Sequence, residues 1–96
     1  MLTDLDDFYC FAQVVEYGGF SAAERATNIP QSKLSRRVSN LEERLGVRLI
    51  QRSSRHFAVT DIGINIYRLT QVMLNAAQAA LTLVDHLSTA PRGVIK

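Results

Sequence analysis

A chain of 96 residues, 47% of them apolar and 21% charged, has room for one small domain with a modest core and is no disordered tail. No apolar run approaches the roughly 18 residues of a membrane span, the acidic start at Asp4, Asp6 and Asp7 lacks the basic opening of a secretion signal, and the lone Cys10 excludes an internal disulfide, so the expected compartment is cytoplasmic. The net charge of +2 is unevenly spread: eight basic residues from Arg25 to Arg55 stand against two acidic ones, a net of +6, while the rest of the chain sums to −4, as suits one face built for a polyanion.

The first helix is predicted from about Thr3 to Tyr17. Leu5, Phe8, Ala12 and Val15 fall on one apolar stripe, and the three aspartates crowd the first turn, where the helix dipole favours negative charge. Gly18-Gly19 stops it. A shorter helix begins at Ser21, whose hydroxyl and Glu24 form a capping box, with Phe20 as a hydrophobic staple. Thr27-Asn28-Ile29-Pro30 makes the turn: asparagine tolerates left-handed backbone, and proline suits the first turn of the next helix.

The third helix spans residues 31–45 and ends at Gly46. Leu34, Val38, Leu41 and Leu45 form its apolar stripe, with Ser32, Arg36 and Ser39 nearly opposite and Ser35 between. Its front half is basic through Lys33, Arg36 and Arg37, whereas Glu42 and Glu43 follow one turn later. From Val47 to Val59 the period changes, with the wing at residues 49–59. Leu49 and Phe57-Ala58-Val59 read as two short strands around the polar Arg52-Ser53-Ser54-Arg55, a hairpin with a basic tip.

Thr60-Asp61 opens a fourth helix reaching to about Ser88. Ile62, Ile66, Leu69, Met73, Ala76, Ala80, Leu83 and Leu87 alternate spacings of four and three, a heptad seam along about 42 Å of helix. So small a domain cannot bury such a seam alone; it calls for a second copy, with Gly63 and the alanines permitting close approach. Thr89 to Gly93 has linker composition, and Val94-Ile95-Lys96 looks like the start of a strand.

Two short helices joined by a tight turn, the second amphipathic with a basic outer front, match a helix-turn-helix. The major groove, about 12 Å wide, admits one helix whose leading residues reach base edges. Gln31, Ser32, Ser35 and Arg36 are the candidate base-contacting residues. Ser21, Lys33, Arg37, Arg52 and Arg55 are candidates for phosphate or the minor groove, although Ser21 also reads as a cap and the arginines as solvated surface. Cys10 reads as a core or subunit-contact residue. His56 and His86 stand far apart with no thiol or carboxylate cluster, so no metal and no cofactor are expected. No nucleophile–base pair or phosphate loop suggests an enzyme. RNA binding is disfavoured because single-strand readers present aromatics, whereas Phe8, Phe11, Phe20 and Phe57 suit a core. The alternative is a helical protein-interaction module using residues 61–88, its basic patch incidental.

The run Gly19-Phe20-Ser21-Ala22-Ala23-Glu24-Arg25-Ala26, then Leu34-Ser35-Arg36-Arg37-Val38, then Leu41 to Leu49, resembles the LysR-type transcriptional regulators, and Arg52 with Val59-Thr60-Asp61-Ile62-Gly63 continues the match. The resemblance implies a mainly α fold: a winged helix-turn-helix of three helices plus a two-stranded β-hairpin wing, followed by a long linker and dimerisation helix. It divides the chain into a DNA-binding domain (1–59), a linker helix (60–90) and the start of a hinge (91–96) to an effector-sensing domain that would bind a small-molecule inducer. The implied partners are double-stranded promoter DNA and a second copy paired through the linker helix, with tetramers in the full-length protein and no membrane. In the family, positions matching Gln31, Ser32, Lys33, Ser35 and Arg36 face the groove, and wing arginines like Arg52 approach the backbone or minor groove. Many members carry Ser-Gln-Pro-Ala before Leu-Ser-Arg; here Pro30-Gln31-Ser32-Lys33 adds a hydroxyl donor and a cation.

Overall fold

The computed structural model describes residues 5–53 and 55–89. Four helices follow in order: α1 (Leu5–Tyr17), α2 (Phe20–Thr27), α3 (Gln31–Leu45) and α4 (Asp61–Thr89). The first three form a compact head in which α1 packs against α2, α3 and the base of α4. The long axis of the molecule extends 60 Å because α4 projects from that head. Among the described residues, no helix is long and apolar enough to cross a membrane.

The core gathers Cys10, Phe11 and Val14 from α1, Ala23 from α2, Leu34, Val38 and Leu41 from α3, and Leu49 and Ile50 beyond them. Three of the four residues in the α3 stripe are fully buried as the spacing predicts, while Leu45 at the end is 37% exposed. On α1 the expected stripe misplaces the centre of the buried face. Leu5 is half exposed, and the deepest positions are Asp7, Cys10, Phe11, Ala12 and Val14. A helix enclosed by three neighbours buries a wide arc, so a narrow apolar stripe could not locate its middle. Thr3 lies outside the described residues.

The turns follow local chemistry. Asn28 adopts left-handed geometry at the end of α2 (φ 66°), its N–H donating to the Glu24 carbonyl, and Gly46 does the same for α3 (φ 72°). Pro30 caps α3 from just outside the helix rather than within its first turn. The expected capping box does not form: α2 starts at Phe20, Gly19 is its cap residue, and no side chain bonds there. Phe20 instead meets Phe57 edge-on, with ring centroids 6.2 Å apart.

The two-stranded hairpin is also corrected. Among the described residues the wing contains a single antiparallel bridge, Ile50 to Val59, flanked by hydrogen bonds from Gln51 N–H to the Ala58 carbonyl and from Thr60 N–H to the Leu49 carbonyl. Leu49 and Ile50 are buried in the core and Phe57 and Val59 pack against it; Gln51, Arg52 and Ser53 between them are exposed and have no apolar face to hold a longer ladder.

α4 begins where the Thr60 hydroxyl donates to the Arg48 carbonyl and accepts from Gly63 N–H. Gly63 is the close-approach glycine, but toward this chain's own wing: a Cβ there would lie 2.4 Å from the Leu49 carbonyl oxygen. Ile66 and Tyr67 pack on the core, Thr70 is buried, and the Tyr67 hydroxyl donates to Glu16 on α1 at 2.7 Å. That bond to a carboxylate pushes the Tyr67 phenol upward from its ordinary value. From Asn75 to Leu87 every residue is exposed.

Candidate nucleic-acid interface

The apolar stripe of α3 fixes what the helix shows outside. With Leu34, Val38 and Leu41 buried, Gln31, Ser32, Ser35, Arg36 and Ser39 are exposed. At about 100° of rotation per residue, Ser32, Ser35 and Ser39 lie on or beside the face centred on Arg36, while Gln31, about 140° round from it, is exposed at the front end of the helix. All four candidate base-contacting residues therefore lie on the accessible surface of α3. Ser21, on the first turn of α2, donates to the Gln31 side-chain oxygen at 3.3 Å and so joins the front ends of the two helices. Lys33 is half-buried, and Arg55 is exposed on the wing.

The two flanks of α3 are tied to the rest of the molecule through charge. Arg37 reaches α1, where Nη1 donates to Asp7 Oδ1 at 3.1 Å and Nη2 lies 3.5 Å from Asp6 Oδ2. The Asp7 side chain is 1% exposed and that of Arg37 25%, so this is an internal pair. On the other flank, the buried Glu42 carboxylate accepts from the backbone N–H groups of Leu49 at 2.7 Å and Ile50 at 3.1 Å. Arg52 and Arg48 also donate to its second oxygen. Burial works against the ionised carboxylate, yet those two N–H donors and the Arg52 guanidinium outweigh it and hold Glu42 below its ordinary value. Arg37 and Glu42 stand about 140° apart around the helix, one on each side of the exposed face.

Two of the basic residues singled out from sequence are thus engaged within the protein, Arg37 with α1 and Arg52 with Glu42. Sequence reasoning missed both carboxylates. Asp7 was indistinguishable from its acidic neighbours in the first turn, and Glu42 looked like half of a solvated acidic pair. A signal for Asp7 does exist: it stands three residues before Cys10 and seven before Val14, on the same helical stripe. Cys10 is a core residue, and burial raises its thiol above the ordinary value, assisted by Asp6 and opposed by Lys33 and Arg37. A buried thiol raised in this way is a poor nucleophile.

Two helices joined by a tight turn, the second held at both edges and presenting a polar, cationic face, define a helix-turn-helix protein. The chain belongs to the lysR family of bacterial regulatory helix-turn-helix proteins, whose family model matches residues 5–64. A probable transcriptional regulator of Klebsiella pneumoniae, LtrA, is 39% identical over 89 residues, covering 93% of this chain and 29% of that protein. The LysR-type regulator CrgA of Neisseria meningitidis, a solved structure, is 36% identical with a TM-score of 0.74 over 91% of this chain and 30% of its own. The BenM DNA-binding domain, solved in complex with catB site 1 DNA, superposes with a TM-score of 0.82 at 30% identity, covering 91% of this chain and 94% of that one. The chain spans less than a third of the length of the curated relatives that it matches.

Proposed function

We propose that this chain is the DNA-reading head and linker helix of a bacterial transcription regulator, binding duplex DNA sequence-specifically with α3 in the major groove. The observation that carries this reading is the outward face of α3: Ser32, Ser35 and Arg36 are exposed while Leu34, Val38 and Leu41 are completely buried behind them. An exposed helix bearing small donors and a cation fits groove recognition, and the BenM domain of similar fold was solved on DNA. In this reading residues 49–59 are a wing set at the flanking minor groove or phosphates, residues 1–59 form the DNA-binding domain, and 60–90 form a linker helix that pairs two copies. Residues 91–96, outside the described part apart from their sequence, would lead to an effector-sensing domain in a cytoplasmic, tetrameric whole.

The test is selection of duplexes from a random library, followed by fluorescence anisotropy against the selected and scrambled sequences. A reader of bases prefers the selected duplex by a factor on the order of 10³ or more at physiological salt. Equal affinity for both would leave only charge-driven binding. Absence of binding would favour the protein-interaction module, which needs only α4.

A further inference from the structure

Resting on the DNA-binding reading above, we propose that Arg37 is a positioning residue that fixes α3 on α1 through Asp7, and that it makes no phosphate contact of its own. A cation in the front half of a recognition helix ordinarily reads as a phosphate ligand. Here the guanidinium spans from α3 to α1, within 3.1 Å of Asp7 and 3.5 Å of Asp6. Asp7 is wholly buried and sits one turn ahead of the core residues Cys10 and Phe11. An ionised carboxylate in that position needs a cationic partner, since an isolated buried charge is strongly destabilising.

The clamp has two effects on the exposed face. Because the pair joins helices that share one core, it sets the rotation of α3 about its axis and with it the aim of Ser32, Ser35 and Arg36. It also holds a positive charge beside two carboxylates that would otherwise repel a phosphate backbone. Asp6, Asp7 and Arg37 together carry one net negative charge, and removing Arg37 alone raises that to two.

Asp7→Val with Arg37→Met replaces the internal pair by apolar side chains, a change that is often neutral or stabilising, and leaves the local net charge unchanged. The expected result for this double variant is affinity for the selected duplex within about threefold of wild type and an unchanged dependence on salt. Arg37→Met alone, which strands Asp7, should lose tenfold or more and show a lower melting temperature, on the scale of breaking a buried pair. If Arg37 touches phosphate, the double variant loses about 0.9 from the slope of log K against log salt, and the proposal is overturned.

Two further measurements cover misfolding of that variant. Asp7→Asn with Arg37→Gln keeps a polar contact and the same net charge, and is expected to retain the wild-type slope. In the wild-type protein, the Arg37 guanidinium nitrogen resonances should be unmoved by added duplex while those of Arg36 shift; a shift at Arg37 equal to that at Arg36 would overturn the assignment. Failure of wild type to prefer the selected duplex would sink the DNA-binding reading itself, whereas a preference combined with a lost slope unit would sink only the role given to Arg37.

Discussion

At the residue scale, space and charge decide more than residue type does. Gly63 could be any small residue on an isolated helix, yet in the folded protein it meets the Leu49 carbonyl and Val59, and a Cβ would lie 2.4 Å and 2.6 Å from them. One contact is backbone and cannot swing away. Gly63→Ala should therefore destabilise the head by about 1–3 kcal/mol, the ordinary scale of overpacking, even though alanine is the better helix former. Thermal unfolding checks this; an unchanged or higher melting temperature would mean that α4 does not seat on the wing as described. Gly63 was legible as a close-approach position, but its partner was not, because sequence pattern carries no information about which backbone lies opposite.

At the element scale, the helices were largely legible and the contacts between them were not. The bounds of α3 follow from its stripe and from Pro30 and Gly46, whose backbone preferences act locally. The wing was over-read: Leu49 and the apolar run Phe57-Ala58-Val59 suggested two strands, but a longer ladder needs a second apolar partner, which the segment from Gln51 to Ser53 lacks. What organises that segment is Glu42, a carboxylate on α3 collecting the N–H groups of Leu49 and Ile50 and the Arg52 guanidinium. Because Glu42 is held below its ordinary value of 4.5 in the native state, the unfolded chain binds more protons across that range. Stability from this group is complete above the unfolded value and is lost as pH falls through the native one. Glu42→Gln should thus lower stability at neutral pH and flatten its acid dependence. Urea unfolding at pH 7 and at about pH 3 measures both; the same loss at the two values would assign the effect to packing instead.

At the scale of the whole molecule, α4 is too long for the head it serves. Its inner face, at Gly63, Ile66, Tyr67 and Thr70, is occupied by this chain. The heptad seam lies roughly 100° around the helix from it, and Ile62, Leu69, Leu83 and Leu87 are 41–67% exposed. Of the seam residues, only Ile66 is taken by the head. The seam was visible in sequence because its period is local, and its separation from the inner face became visible only with the fold. Leu83→Asp with Leu87→Asp, both far from the head, should shift sedimentation from dimer to monomer and leave the head of the variant folded. A wild type that sediments as a monomer at tens of micromolar would remove the dimer from the account.

The most direct test concerns Arg36, the exposed cation at the centre of the α3 face. Titrating wild type and Arg36→Ala against a selected duplex and a scrambled one isolates base reading from charge. The variant should lose about 1–3 kcal/mol on the selected duplex, the worth of one good bidentate contact to guanine, and much less on the scrambled one. Equal losses on both sequences would contradict base recognition by this face of α3 and leave Arg36 as a contact to phosphate alone.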